Sequence, residues 1–269
     1  MTTDQILAAV GDFASFAAAT AAMAAAWGTF RTVRQVQQQT IASYRPTLAF
    51  AQSAMTASAE GQGWPIPSHW TKGRASDTQI RTESGLYPIM VDPTIRLYNI
   101  GLGPAANVHI VWAFPVAEFV EKINNLAQRA LVPAYFESNS RGVSCKSELW
   151  PTTQFSCGLP NEQAQDIDYI MPESTNKNET LVTIPYAIVF IISAYFYFAY
   201  IQKDDDDVNE DSEILSIDIL SNAAVSYSDI GGDRYDARFV LEFHPRAMMR
   251  VKEEPLTVWF DITTKTLKN

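Results

Sequence analysis

The chain has 269 residues, of which 47 % are hydrophobic and 12 % aromatic, so it is not a disordered chain and can bury a sizeable core. Its 30 Asp and Glu outnumber its 20 Lys and Arg, which gives a formal net charge of −10. Phosphate contacts need clustered Lys and Arg, and the sequence has no dense basic cluster. These features exclude a nucleic-acid partner.

The first thirty residues predict a membrane anchor. Phe13–Phe30 carries no charge over eighteen residues, close to the shortest length that spans a bilayer. Trp27 at its far end suits the interfacial aromatic belt, and Arg31 and Arg34 after it place the following residues in the cytoplasm. We therefore predict a single-pass transmembrane helix over 1–30 in the cell inner membrane, with the bulk of the chain cytoplasmic.

Two alternatives remain for this segment, a cleaved signal peptide and an alanine-rich helix of a soluble bundle. A signal peptide normally has a basic first region, whereas the one charge here is Asp12. Small residues at four-residue spacing allow helices to approach closely, and four alanines have that spacing: Ala14, Ala18, Ala22 and Ala26. The row indicates a homo-oligomer or a partner helix.

After the anchor, the helical pattern continues as a stalk over 31–46 and ends at Pro46. The pattern then changes to short β-rich runs, predicted at 47–51, 87–92 and 94–100. Ser53–Gly85 is rich in Gly, Ser and Thr and predicts a long loop. Residues 47–269 are therefore predicted to form a β-sandwich domain.

Gly101, Gly103 and Ala106 have the G-x-G-x-x-A spacing of a dinucleotide-binding loop. In such a loop the glycines open a helix, but here Pro104 is followed by residues that alternate as in a strand. The segment is therefore predicted to connect two strands, with Gly101 and Gly103 giving backbone freedom at a bend.

Two helical or apolar segments follow. Residues 116–130 place their apolar side chains on one helical face: Val116, Phe119, Val120, Ile123, Leu126 and Ala127. Leu181–Ile201 has no charge over 21 residues. It is either a buried core element, a strand followed by a helix or second strand, or a second transmembrane helix.

The remaining features predict structural roles. Asp204–Asp211 lacks the glycine and glutamate spacing of a calcium loop and predicts a solvated acidic loop. Gly231 and Gly232 predict a hairpin turn between two alternating strands. Cys145 and Cys157 are interpreted as semi-buried thiols, with a disulfide as the alternative in an oxidising compartment.

No recognisable catalytic motif occurs in the sequence. The three histidines, His69, His109 and His244, are far apart, and neither a nucleophile elbow nor a phosphate-binding loop is present. We therefore assign no catalytic, cofactor-binding or metal-binding residues and predict that the chain is not an enzyme and uses no cofactor.

The order of an N-terminal span, a "YRPTL" segment, "NIGLGPAANV" and a "DIGG" hairpin resembles a group of uncharacterised bacterial membrane-anchored proteins with a single immunoglobulin-like β-sandwich. The resemblance covers about two thirds of the chain. The residues that carry it are Arg45, Pro46, Asn99, Gly101, Gly103, Ala105, Asn107 and Asp229–Gly232. It implies a mainly β, α+β domain in which the glycine segment joins two strands, and it supplies no catalytic residues.

The predicted fold is an antiparallel β-sandwich with one or two packed helices, behind an N-terminal transmembrane helix and stalk. The predicted function is a membrane-anchored scaffold or sensor that binds a protein partner through the sandwich or the Ser53–Gly85 loop. Two alternatives remain: a membrane-perturbing effector of bacterial stress or phage defence, and an enzyme without a recognisable motif.

Overall fold

The computed structural model describes residues 3–59, 65–73, 93–140, 142–148, 155–159, 164–175, 179–204, 219–250 and 256–267. The helices in these ranges are α1 (Thr3–Ser43), α2 (Val116–Arg129) and α3 (Tyr186–Asp204). The strands are β1 (Leu48–Phe50), β2 (Ser53–Ser58), β3 (His69–Lys72), β4 (Thr94–Asn99), β5 (Ala105–Ala113), β6 (Ala134–Asn139), β7 (Gly142–Ser147), β8 (Phe155–Cys157), β9 (Gln165–Ile170), β10 (Thr180–Thr183), β11 (Ile219–Ser228), β12 (Arg234–Met249) and β13 (Thr257–Leu267).

The strands form three sheets. The largest has seven strands in the order β3-β2-β13-β12-β11-β5-β9, and two three-stranded sheets have the orders β1-β4-β10 and β6-β7-β8. The neighbouring strands within these sheets run antiparallel. The prediction of an antiparallel, sandwich-like α+β fold is confirmed at this level.

One face of the seven-stranded sheet forms the core because its strands alternate apolar and polar residues. In β5, Val108, Ile110 and Trp112 are fully buried. The β1-β4-β10 sheet covers part of this face, since the Phe50 ring of β1 lies 5.1 Å from that of Phe239 and 6.2 Å from that of Trp112. Two sheets thus enclose one part of the core, as in a sandwich.

Helix α3 covers another part of the same face. The Phe196 ring lies 5.9 Å from that of Phe260 in β13, and on the other side of α3 the Phe190 ring lies 5.8 Å from that of Phe136 in β6. The buried indole of Trp70 donates a 2.8 Å hydrogen bond to the Ser193 hydroxyl. The segment Leu181–Ile201 is thus a strand, β10, followed by a buried helix, which is the first of its two predicted alternatives.

Helix α2 follows its predicted pattern, with Phe119, Val120, Ile123 and Ala127 buried. Its Asn124 side chain accepts a hydrogen bond from the Phe136 N–H at 2.8 Å and donates one to the Phe136 carbonyl oxygen at 2.9 Å. Asn124 therefore occupies backbone groups of β6 that would otherwise remain open at the edge of the β6-β7-β8 sheet.

Helix α1 runs without a break from Thr3 to Ser43, so the predicted anchor and stalk are one helix. All the side chains from residue 15 to residue 39 are exposed. Among the residues that the structure describes, no helix is both long enough and apolar enough to cross a membrane. The predicted transmembrane helix over 1–30 is therefore not supported.

The predicted loop Ser53–Gly85 is wrong in part, because β2 and β3 lie inside it and pair from Met55↔Lys72 to Ser58↔His69. The strand β2 was not predicted because most of its residues are small or polar. Its apolar residues Met55 and Ala57 stand two positions apart and are both buried. The predicted strand 87–92 lies outside the described residues, as does the acidic loop after Asp204.

Cys145 and Cys157 are free, buried thiols on neighbouring strands. Burial raises the pKa of each thiol to about 12. Because the thiolate is the reactive form, we expect iodoacetamide at pH 8 to modify neither cysteine in the folded chain and both in urea. Since the raised pKa favours the neutral thiol of the folded state, stability should fall as the pH rises from about 9 toward 12. Mass spectrometry counts the modified cysteines. Rapid modification of either cysteine in the folded chain at pH 8 would contradict the predicted protection.

Candidate functional site: the junction of helix and sheets

Helix α1 meets the sheets at a compact cluster that we call the junction. It comprises Tyr44–Thr47, which join α1 to β1; Asn99–Gly103, which end β4 and leave it; and Tyr227, Asp229–Gly232 and Tyr235 of the β11–β12 hairpin. The sequence treated these as separate motifs. The structure brings them together.

Asn99 lies at the centre of the junction and is 1 % exposed. Its Oδ1 accepts hydrogen bonds from the backbone N–H groups of Thr47 and Gly101, each at 3.1 Å. Its Nδ2 donates to the carbonyl oxygens of Gly103 at 2.7 Å and Ile170 at 3.1 Å. One side-chain amide therefore uses both donors and both acceptor positions to join the α1–β1 connection, the glycine segment and β9.

The glycines of this segment are required by space. A Cβ on Gly101 would lie 2.6 Å from the Thr47 nitrogen, and one on Gly103 would overlap the carbonyl oxygen of Tyr44. Neither glycine has a positive φ. The chain bends at these glycines, as predicted, and their small size allows the chain leaving α1 to pass directly over the backbone.

The glycine segment connects two strands, β4 and β5, that belong to different sheets. Pro104 stands immediately before β5, and no helix follows the glycines. A dinucleotide loop needs a helix N-terminus at that point, so the geometry does not provide a phosphate site.

An aromatic pair holds the chain just after α1. The guanidinium of Arg45 lies over the Tyr235 ring, 4.6 Å from its centroid, and the Tyr235 and Tyr227 rings stack at 5.5 Å. The Tyr227 hydroxyl donates to the carbonyl oxygen of Pro46 at 3.5 Å. These contacts fix the exit from α1 on the side of the hairpin.

Asp229 orders the hairpin turn beneath this pair. Its Oδ1 accepts from the Asp233 N–H at 3.0 Å, and its Oδ2 accepts from the Tyr235 hydroxyl at 3.0 Å. Desolvation disfavours the carboxylate, but the hydrogen bonds from Asp233, Tyr235 and the two glycines outweigh it, so the pKa of Asp229 is lowered. Gly232 has φ +88°, which a side chain rarely adopts, while Gly231 is exposed in the turn.

We expect Asp229→Asn to destabilise the chain at pH 7. Because the pKa of Asp229 is lowered by folding, its contribution is complete above the unfolded pKa near 3.8 and is lost as the pH falls through the folded pKa. The difference between the wild type and the variant in urea unfolding should therefore shrink between pH 5 and pH 2. Asp168→Asn, on an exposed position of β9, is the control, and an unchanged difference at low pH would contradict the prediction.

The roles of Tyr227 and Tyr235 were not predicted from the sequence. These residues face each other across the hairpin, four residues on either side of Gly231. Because both tyrosines stand the same number of residues from the predicted turn, the sequence could have indicated that they pair across the hairpin. The other predicted residues, Asp12, Ala18, Ala22 and Trp27, all lie on α1, away from the junction.

A polar cluster on the outer face of the large sheet contains a histidine, a hydroxyl group and a carboxylate, the residue types of a catalytic triad. His244 Nε2 lies 2.9 Å from the Thr263 hydroxyl and 3.4 Å from Glu242 Oε2. In a catalytic triad the acid and the nucleophile contact different ring nitrogens, but here both contact the same one. Lys265 donates to Glu242 at 2.7 Å and lowers the pKa of that carboxyl. The cluster has the geometry of cross-strand pairing.

Two of the concave surfaces in the described part of the chain are large enough to consider as binding sites. A cavity of about 580 Å³ lies beside the bulge of β12, where Arg246 and Asp261 form a 2.8 Å ion pair. A groove of about 340 Å³ lies against the junction and is lined by Asn99, Ile100, Gly101, Leu102, Glu173 and Ser174. Within the described residues, no group of three or more His, Cys, Asp or Glu side chains could hold a metal ion.

No protein family, no curated protein and no solved structure matches this chain. The resemblance to membrane-anchored proteins with an immunoglobulin-like domain therefore stays a prediction.

Proposed function

We propose that the chain is a non-enzymatic scaffold or sensor that binds a protein partner through its β-rich domain and presents that domain on α1. The observation that carries the proposal is the four-bonded Asn99, which ties the end of α1 to two sheets. Such a connection holds the helix and the domain in one orientation, as a scaffold requires.

The use of the conspicuous motifs supports this proposal. The glycine segment and the hairpin serve the junction, and the His244 cluster serves cross-strand pairing. The inner membrane is not part of the proposal, because the described residues offer no helix that could cross it. The alternative function, a membrane-perturbing effector, also requires the predicted transmembrane helix and is therefore not part of the proposal either.

The groove beside the junction is the surface that we propose for the partner. Ile100 and Leu102 on its rim are exposed, and Ile230 at the hairpin tip of the same junction is exposed as well. Exposed apolar side chains grouped beside a concave surface are typical of protein-binding sites. The fixed junction would present this surface at a constant position relative to α1.

Site-specific photo-crosslinking tests the proposal. A photoreactive amino acid is placed at Leu102 or Ile230, and in a control at the exposed Leu220 at the other end of β11. We expect the same protein adduct from the first two positions in living cells, and none from Leu220. Equal labelling at all three positions, or no adduct from Leu102 and Ile230, would overturn the proposal.

A further inference from the structure

Helix α1 carries a stripe of four bulky apolar side chains, Phe16, Met23, Trp27 and Phe30, which we call the α1 stripe. Their spacings of seven, four and three residues place them on one helical face. Each is between 63 % and 71 % exposed.

No described part of the domain covers the α1 stripe, since every side chain from residue 15 to residue 39 is exposed. An apolar face of this length is seldom left in water and indicates a contact surface. Ala18 and Ala22, from the predicted small-residue row, fall outside the stripe by the helical period. The bulky face, and not the alanine row, therefore needs an occupant.

The sequence of the stripe is symmetric. Phe16 and Phe30 stand seven residues on either side of Met23, and the opposite charges of Asp12 and Arg34 stand eleven residues on either side. Both charged positions fall on the line of the stripe by the helical period. Met23 is also the midpoint of α1, which runs from Thr3 to Ser43.

We propose that a second copy of this chain covers the α1 stripe by packing its own α1 antiparallel, with the two-fold axis at Met23. A two-fold contact pairs each position with its mirror position. Phe16 then lies beside Phe30 of the second copy, and Arg34 lies beside Asp12 of the second copy. Trp27 lies over Ala19 of the second copy, so a large residue meets a small one.

Charge selects this arrangement over a parallel one. In a parallel pair, Arg34 would lie beside Arg34 of the second copy, and Asp12 beside Asp12, so that like charges would repel. In the antiparallel pair both charges meet an opposite charge. The resulting opposite-charge contacts close both ends of the apolar stripe.

The buried area is sufficient for a weak dimer. Aromatic side chains bury ~150–250 Å² each, so four bulky residues that are two-thirds exposed contribute about 1,000 Å² over the two copies. Stable interfaces start near ~1,200 Å², and the alanines between the bulky residues supply the difference. This pairing does not depend on the protein partner of the β-rich domain.

Charge reversal tests the pairing in the full chain. We expect Arg34→Asp to weaken the dimer about tenfold in sedimentation equilibrium, and Asp12→Arg together with Arg34→Asp to restore it. Arg31→Asp changes the net charge equally but lies on the flank of the stripe, so it serves as the matched control. A double variant as weak as Arg34→Asp would overturn the antiparallel register.

Disulfide trapping tests the register directly, because the native Cys145 and Cys157 are buried. Met23→Cys should crosslink to itself, and Phe16→Cys should crosslink to Phe30→Cys in a mixture. Phe30→Cys alone should not, since antiparallel packing separates the two copies of that position by ~21 Å. Efficient Phe30→Cys self-crosslinking would establish a parallel pair instead.

A lipid surface is the competing occupant of the stripe. Flotation with phosphatidylethanolamine and phosphatidylglycerol vesicles distinguishes it from a second copy. A chain that is monomeric at micromolar concentration and floats with the vesicles would overturn the proposal. A dimer that stays in solution supports it, whether or not a partner is found by crosslinking at the junction.

Discussion

Replacing Asn99 by Ala is expected to lower the free energy of unfolding by about 3–5 kcal/mol, since several buried backbone groups lose their partners at once. The N–H groups of Thr47 and Gly101 and the carbonyl oxygens of Gly103 and Ile170 all bond to this side chain. Urea unfolding followed by circular dichroism measures the change. The exposed Asn222→Ala is the control and should lie within ~0.5 kcal/mol of the wild type.

A second measurement distinguishes a loss of stability from a loss of the fixed orientation of α1 relative to the sheets. Spin labels at Gln35 on α1 and Leu220 on β11 report the distance between helix and sheet. We expect a narrow distribution in the wild type and a broad one in Asn99→Ala under conditions where the sheets stay folded. An equally narrow distribution in the variant would show that Asn99 does not hold α1 to the domain.

Phe190→Ala is expected to lower the free energy of unfolding by about 3–5 kcal/mol, because a fully buried ring is removed from the core and leaves a cavity. Phe190 is completely buried and packs against Phe136 on the side of α3 that faces the β6-β7-β8 sheet. Thermal or urea unfolding of the full chain measures the loss.

Leu220→Ala is the control for Phe190→Ala, because Leu220 is an exposed apolar residue of β11. It should change stability by less than ~0.5 kcal/mol. If Phe190→Ala left the unfolding midpoint unchanged, α3 would not be the centre of this core. That result would contradict the buried position of Leu181–Ile201 in the core.

The local patterns of the sequence determined several elements of this fold. The alternation after Pro104 predicted β5, the apolar face of residues 116–130 predicted α2, and Gly231 and Gly232 marked the turn between β11 and β12. These predictions succeed because periodicity and turn chemistry depend on residues only a few positions apart. The rejection of a dinucleotide loop at Gly101 has the same basis.

The sequence could not distinguish the environments of the two long uncharged segments. Phe13–Phe30 and Leu181–Ile201 both lack charged residues over eighteen or more positions, yet the first is part of an exposed helix and the second forms a strand and a buried helix. Composition records how much apolar surface a segment has, but what covers that surface is decided by elements far away in the chain. Phe136 and Phe260 lie more than fifty positions in the chain from Phe190 and Phe196, the α3 residues that they contact.

The junction was likewise decided by tertiary structure. The sequence supplied its parts, the Arg45–Pro46 step, the glycine segment and the Asp229 hairpin, as unrelated motifs. Asn99 bonds to Thr47 across 52 positions and to Ile170 across 71, and Tyr227 reaches Pro46 across 181. No local pattern encodes such separations, so only the folded chain shows that Gly101 and Gly103 are small because another backbone passes over them.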